Sequence, residues 1–492
     1  MYLLGIDIGT SSIKASVVDV QTRQEIASAS YPDVESVISS PQSGWAEQEP
    51  EMWWKNTLEV IRKINNSNKF NPLDIVSIGI SYQMHGLVMV DKQQNVLRPS
   101  IIWCDSRAVE IGEKAFQDIG EEKALQNLLN SPGNFTASKL AWVKEKEPEV
   151  FEKCDKIMLP GDYVAMKMTG EITISNSGLS EGIFWDFKDN TLSKDLMEVY
   201  GFNNSLIPNI KPVFSNHGEL SSHISEQLGL KKGICVSYKA GDQPNNAFSL
   251  NVVNPGEIAA TAGTSGVVYA VSDQIKCDPL SRINSFAHVN HQMNNETRIG
   301  ILLCINGTGI LNRWIKDTIS GGLDYIEMNK RAASVPVGSE GLIVMPFGNG
   351  AERMLQNKIF GGQFLNLDFN THSQAHIFRA SQEGIAFSLK YGFDLMQNLG
   401  VKPSVIRAGE ANMFLSPIFA DAIVNVTQVA VEMYDTNGAK GAALGGGIGA
   451  GIFSSIKEAM AGLKLLRVIE PDLSLKNSYE EAYSNWKSNL TL

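Results

Sequence analysis

The sequence predicts an α/β protein in two domains of related architecture, and three observations carry that prediction. Strand-like and helix-like stretches alternate from the start: residues 2–8 and 13–20 are apolar and β-branched, Pro50 opens a run with helical spacing, and Ile75–Ile80 is again strand-like. A chain of 492 residues exceeds one ordinary core. A turn of Gly, Thr and Ser between apolar runs occurs twice, at Gly9-Thr10-Ser11 and at Gly263-Thr264-Ser265, so the second half restarts the pattern of the first.

Taken in order, residues 2–8 and 13–20 read as a hairpin, with 24–31 as a third strand. Pro50 precedes Glu51, Trp54, Leu58 and Ile61, the spacing of an amphipathic helix that begins on a proline. Residues 105–230 mix helical stretches with loops, and 233–241 ends in another strand. The turn-rich Asn251-Val-Val-Asn-Pro-Gly256 marks a boundary, giving domains 1–250 and 251–492. Glu257–Ala262 and Val267–Val271 then repeat strand, turn, strand, and helical periodicity runs through 373–399. Residues 438–451 are rich in glycine and alanine without serine or proline, which predicts a helix packed closely on a neighbour or a ligand and not a flexible linker.

Bulk composition narrows the function classes. A formal charge of -11 with no long basic run disfavours nucleic acid or an anionic membrane as partner. Five scattered cysteines, an odd count without a CxxC pair, fit a reducing cytosol better than a disulfide framework or a zinc site. The opening apolar run is broken at Asp7, so it reads as a buried strand and not a signal peptide, and no stretch is long and apolar enough to span a membrane. The expected location is the cytoplasm.

Several short motifs carry chemistry, each with a plain structural alternative. The turn at Gly9, Thr10 and Ser11 offers N–H and hydroxyl donors to phosphate, with Asp7 placed to hold a metal ion through water; a simple hairpin turn has the same composition. The chain has no G-x-x-x-x-G-K-[ST] sequence and no G-x-G-x-x-G after its first strand, so any nucleotide must be held by the two hairpins. Asp242, after a strand end and a glycine, suits a general base for a hydroxyl group, or a helix cap. Met84-His85 after the third apolar run, and Trp103 with Asp105 and Arg107, are the parts of a carbohydrate pocket; the last two also suit a buried ion pair. The pairs His288/His291 and His372/His376 lack a third ligand in a recognised arrangement and read as structural.

In order along 3–452, GIDIGTSSIK, SYQMHGL, WCDSR, AGDQPNNA, AGTSG, INGTGILNRWI, QEGIAF, AGEANMFLSPIFADAI and GAKGAALGGG resemble the FGGY carbohydrate kinases. The Met-His pair followed by Trp-x-Asp-x-Arg is most similar to the xylulokinases of that family, with gluconate kinases sharing the Met-His pair. The resemblance implies two ribonuclease-H-like (actin-like) domains with an interdomain cleft, sugar on the N-terminal domain and ATP on the C-terminal one. It implies Asp242 as the catalytic base, Met84, His85, Trp103, Asp105 and Gln243 beside it at the sugar, and Gly9, Thr10, Ser11, Gly263, Thr264, Ser265, Gly307, Gly409 and Asn412 at the nucleotide. Asp7 and Asp242 would serve Mg2+. The implied reaction is ATP-dependent phosphorylation of D-xylulose; other family sugars and an actin-like ATPase are the competing readings, and a homodimer is one assembly the family allows. The ATPase would not need Met84-His85 or the Trp103–Arg107 element.

Overall fold

The computed structural model describes residues 1–490. They fold as two compact units: Met1–Asn251 with Phe286–Arg298 and Thr436–Leu463, and Val252–Ser285 with Ile299–Asp435 and the chain from Lys464 onward. Two segments that a division into consecutive halves places in the second domain therefore belong to the first.

In the first unit β1 (Tyr2–Ile8), β2 (Ile13–Asp19) and β3 (Glu25–Tyr31) form an antiparallel meander. The register runs from Tyr2 opposite Asp19 to Ile8 opposite Ile13, which leaves residues 9–12 as the turn. Helix α1 (Pro50–Asn65) follows, with Pro at its start, Glu51 in its first turn and Arg62 and Lys63 in its last, and it buries Trp53, Trp54, Leu58 and Ile61. Strand β4 (Ile75–Tyr82) pairs parallel with β1, and β5 (Cys235–Gly241) pairs parallel with β4, giving the sheet order β5-β4-β1-β2-β3. These central strands are near-continuous apolar runs because both faces are covered. Helices α2 (Thr136–Lys146), α3 (Asn176–Glu181) and α4 (Asp242–Ser249) supply residues to the site.

The second unit repeats the plan. Strands β6 (Glu257–Ala262), β7 (Gly266–Ser272), β8 (Asn284–Ala287, whose last two residues belong to the first unit), β9 (Ile299–Ile305), β10 (Val405–Gly409), β11 (Val431–Tyr434) and β12 (Leu465–Ile469) form a sheet of order β8-β9-β7-β6-β10-β11-β12. Its inner five reproduce the first sheet: an antiparallel β6–β7–β9 meander with β10 and β11 parallel to β6. The fold is thus two ribonuclease-H-like, actin-like α/β units. Helices α5 (Gly309–Thr318) and α6 (Gln374–Asn398) pack in this unit.

Helix α7 (Gly438–Gly449) lies in the first unit, capped by the Asn437 side chain on the Lys440 N–H at 2.9 Å. Its close neighbour is the first sheet. Gly5 and Gly79 sit side by side in the β1–β4 register. A Cβ on Gly5 would come within 1.8 Å of the Ala439 carbonyl oxygen, and one on Gly79 within 1.9 Å of that of Ala442. Glycine in a helix costs about 1 kcal/mol per residue relative to alanine; here it lets the helix backbone rest on the sheet backbone. No helix among the described residues is long and apolar enough to cross a membrane.

Candidate active site

Parallel strands β1, β4 and β5 end at the same edge of the first sheet, and the chemistry-bearing residues stand on those ends. Asp7 pairs in register with Ser81, which is level with Ala240. Asp242 begins α4 directly after Gly241, so it is the first helical residue and not the cap. Both acids are half-buried. Burial holds the Asp7 carboxyl above its usual range, against the pull of the Ser81 hydroxyl and the Lys14 charge. Asp242 is pushed up to about 7, first by burial and then by the negative charge of Asp7, while the backbone and side-chain amides of Gln243 act against the rise. A carboxylate poised near neutrality can take a proton at working pH. Asp7 also lies at the start of α7, where a Cβ on Gly438 would be 2.6 Å from its Oδ2.

Beside this pair, Met84 and His85 continue from β4. His85 adopts a left-handed backbone, φ 62°, and its polar groups are held from three sides. Its N–H points at Glu181 Oε1 at 3.4 Å, its Nδ1 donates to the Glu181 carbonyl at 2.9 Å, and its own carbonyl accepts from Lys139 Nζ at 2.8 Å. A carbonyl only accepts, so Nδ1 carries a proton, and when the ring is neutral Nε2 is the acceptor. The imidazole stands edge-on to Phe135 (4.9 Å between centroids) and tilted against Phe286 (5.4 Å). Glu181, Lys139, Phe135 and Phe286 are not part of the sequence-derived set. For Glu181 and Lys139 the only sequence signal is a charged residue set among small and apolar ones, as in SGLSEGIFW and TASKLAW, and Phe135 and Phe286 carry none.

The hairpin tip differs from expectation in one respect. The Thr10 hydroxyl donates to Gln83 Oε1 (3.2 Å) and accepts from Trp103 Nε1 (3.0 Å), and Gln48 Nε2 holds the Thr10 carbonyl at 2.8 Å. Gln48 Oε1 also accepts from Gln83 at 3.0 Å and from Trp53 at 3.1 Å, which fixes both amide orientations. The Thr10 hydroxyl proton is thus committed inside the unit. The Gly9 N–H closes the turn on the Ser12 carbonyl at 3.1 Å. Donors at the tip outside these bonds include the Thr10 and Ser11 amides and the Ser11 hydroxyl. Trp103 keeps half its surface exposed, 51%. Asp105 is buried, and its carboxylate takes Arg107 in a bidentate pair (Nε to Oδ1 at 3.0 Å, Nη2 to Oδ2 at 2.7 Å) and the Ala46 N–H (2.6 Å), which is the ion-pair arrangement; the Arg107 guanidinium lies 3.8 Å over the Trp45 ring.

In the second unit, Gly263, Thr264 and Asn412 line one cavity of about 490 Å³ with Gly309 and Arg313. The Gly309 and Ile310 amides donate to the Gly263 and Thr264 carbonyls at 2.9 and 3.1 Å, tying the β6–β7 turn to the start of α5. Gly307 lines a separate cavity of about 270 Å³ beside Trp314 and Phe364. Ser265 lies in the same β6–β7 turn, and Gly409 ends β10 with open space where a side chain would be. Among the described residues no group of three His, Cys, Asp or Glu side chains forms a metal cluster; His376 instead meets Glu340 at 2.7 Å.

A family model for the N-terminal domain of the FGGY carbohydrate kinases matches residues 2–249. The xylulose kinase of Staphylococcus xylosus is 29% identical over 99% of both chains. A solved xylulose kinase from Rhodospirillum rubrum superposes with a TM-score of 0.87 at 24% identity, covering 99% of this chain and 98% of that one. A gluconate kinase from Lactobacillus acidophilus superposes at 0.89 and 22% identity, covering 99% of this chain and 97% of that one. The chain belongs to the FGGY family of carbohydrate kinases and is an ATP-dependent sugar kinase.

Proposed function

We propose that this kinase transfers the γ-phosphoryl group of ATP to D-xylulose, giving D-xylulose 5-phosphate. The observation that carries the reading is Asp242, raised to about 7 by burial and by Asp7 and standing on the strand ends with Met84, His85 and Gln243. Its carboxylate takes the proton of the attacking sugar hydroxyl. His85 Nε2 accepts from a sugar hydroxyl, and the exposed face of Trp103 packs on the carbon skeleton. The Thr10 and Ser11 amides, with the turn at Gly263, Thr264 and Ser265, receive the phosphate oxygens; Gly307, Gly409 and Asn412 serve the adenosine. Phosphoryl transfer asks mainly for such positioning and for charge stabilisation.

Two neighbouring carboxylates, one of which raises the proton affinity of the other, are a fitting seat for a divalent cation with oxygen ligands, so Asp7 and Asp242 would hold Mg2+ through water. When bound, that ion supplies neutralisation of phosphate charge. Five free cysteines suit a cytoplasmic setting.

A neutral ketose fits this wall better than an aldonate. The cations that reach it are committed: Lys139 to the carbonyls of His85 and Ile102 at 2.8 and 2.9 Å, and Arg107 to Asp105 and Glu47. A coupled ADP-release assay over ketoses, polyols and aldonates tests the reading. D-xylulose should give the highest kcat/KM; a higher value for gluconate or a polyol overturns the sugar assignment.

A further inference from the structure

Glu181 closes α3 and is 1% exposed. It grips His85 twice, through the main-chain carbonyl on ring Nδ1 at 2.9 Å and through Oε1 on the backbone N–H at 3.4 Å. His85 needs such a grip, because a left-handed backbone is unfavourable for a residue with a Cβ. Its other carboxyl oxygen, Oε2, is buried without a hydrogen-bond partner. That atom lies against the strand end that delivers the base: a Cβ on Gly241 would stand 2.4 Å from Oε2 and 2.6 Å from Met84 Cγ. One side chain therefore holds the histidine turn and lines, with Met84, the space beside the glycine before Asp242.

We propose that Glu181 is a positioning residue of the sugar site, fixing the His85 turn and ring and setting the approach of Gly241 and Met84 to the base. The proposal rests on the sugar-kinase reading of the site. It distinguishes two ways in which a carboxyl could act there. An ionised carboxylate would serve as a charge; a protonated one would serve as an acceptor through Oε1 with its proton on Oε2. Among the described residues no cation bonds to either oxygen, and Lys139, the nearby ammonium, is spent on two carbonyls. Burial, with the charges of Asp242 and Asp162, pushes the Glu181 carboxyl well above the usual range, which agrees with the second way. The grip on His85 then depends on an acceptor oxygen of the right reach and not on charge, and an amide supplies the same oxygen.

The α3 frame is built to hold this residue still. Ser175 caps the helix on the Gly178 N–H at 3.0 Å, and Ser180 Oγ accepts from the Ala287 N–H at 2.9 Å while donating to the Ser177 carbonyl at 2.9 Å. The Gly182 carbonyl accepts from the Ala137 N–H at 3.0 Å, linking the end of α3 to α2, which carries Lys139.

The test uses the whole enzyme with three replacements and two readouts. Glu181→Met keeps the length of the side chain without an acceptor, Glu181→Ala removes it, and Glu181→Gln keeps an acceptor without charge. Steady-state kinetics should show KM for the sugar rising about tenfold in the Met and Ala variants, with KM for ATP and kcat within about threefold of wild type, and near wild-type values in the Gln variant. The second readout needs no sugar: long-range proton–nitrogen correlation of the histidine rings, with His85 assigned through His85→Asn. The main-chain carbonyl of residue 181 stays in every variant, so this readout reports the turn that the side chain holds through the His85 N–H: wild type and Glu181→Gln should show His85 protonated on Nδ1 alone, and the other two, with that N–H released, should show a second ring form. An unchanged sugar KM together with an unchanged His85 tautomer in Glu181→Met overturns the proposal, and so does a Gln variant as impaired as the Met variant. If wild type phosphorylates no sugar, the kinase reading fails while the tautomer comparison still decides the role of Glu181.

Discussion

The indole N–H of Trp103 donates to the hydroxyl of Thr10 at 3.0 Å, and that hydroxyl passes its own proton to Gln83 at 3.2 Å. One threonine thereby ties a ring suited to a sugar face to the turn suited to phosphate. Thr10→Val should remove both of these neutral hydrogen bonds, about 1 kcal/mol each, and raise KM for the sugar at least about fivefold with KM for ATP unchanged. If KM for ATP rises as much, the hydroxyl serves phosphate after all.

Removal of the base gives the sharpest contrast. Asp242→Ala should lose sugar phosphorylation while nucleotide binding, followed by calorimetry, persists, because the cavity lined by Gly263, Thr264 and Asn412 is built in the second unit. More than a few per cent of residual turnover would remove Asp242 from the role of base.

The pH dependence follows from the raised acid. Asp242 acts as a base only when deprotonated, so kcat/KM should climb with pH through about 7 and level off above it. Asp7→Asn removes the negative charge that adds to the rise and should move the inflection to lower pH, measured on whatever activity remains. Stability has the opposite sign. The folded value lies above the ordinary 3.8, so the folded state holds the extra proton, and its stability is greatest below that ordinary value and declines as pH rises through about 7. Asp242→Asn should therefore unfold at a higher temperature than wild type at pH 8, with the two close together at pH 4. A variant less stable than wild type at pH 8 would contradict the burial of that charge.

His85→Ala should raise KM for the sugar far more than KM for ATP, since its ring is held among Phe135, Phe286 and Glu181 within the first unit. Equal effects on both substrates would remove the histidine from the sugar pocket.

Gly79→Ala tests the seat of α7. The added methyl would fall 1.9 Å from the Ala442 carbonyl oxygen, backbone against backbone, with no side chain able to yield. A loss of about 3 kcal/mol or more, or failure to fold, is expected in denaturant unfolding. A variant of unchanged stability would mean that the helix can lift from the sheet without cost.

Much of this architecture is legible in the chain because its signals are local. The hairpin at Tyr2–Asp19 announces itself by apolar runs around a polar turn, the helix at Pro50–Asn65 by its proline start and its Trp54, Leu58, Ile61 spacing, and the helix at Gly438–Gly449 by small residues that only close packing explains. What α7 packs on is not legible, since the notch it fills is made by Gly5 and Gly79, hundreds of residues away. The site divides in the same manner. Asp7, Met84, His85 and Asp242 lie on strand ends and stand out as motifs. Glu181, Lys139, Phe135 and Phe286 come from separate helices and strands and acquire meaning only through contact with His85. The Thr10 hydroxyl shows the converse: a motif suggested phosphate, and two distant side chains, Gln83 and Trp103, engage it instead.

The seat of α7 also has a consequence for the order in which the molecule can be made. The glycine notch at positions 5 and 79 is synthesised early, yet the helix that fills it arrives only at 438–449, after nearly all of the second unit. On the ribosome the first sheet must wait without that helix while most of the second unit is made. A nascent chain halted near residue 250 would present an open sheet face, a ready target for chaperones and proteases. Assembly of this enzyme is therefore finished from its far end, and a truncation late in the chain strikes the part that was made first.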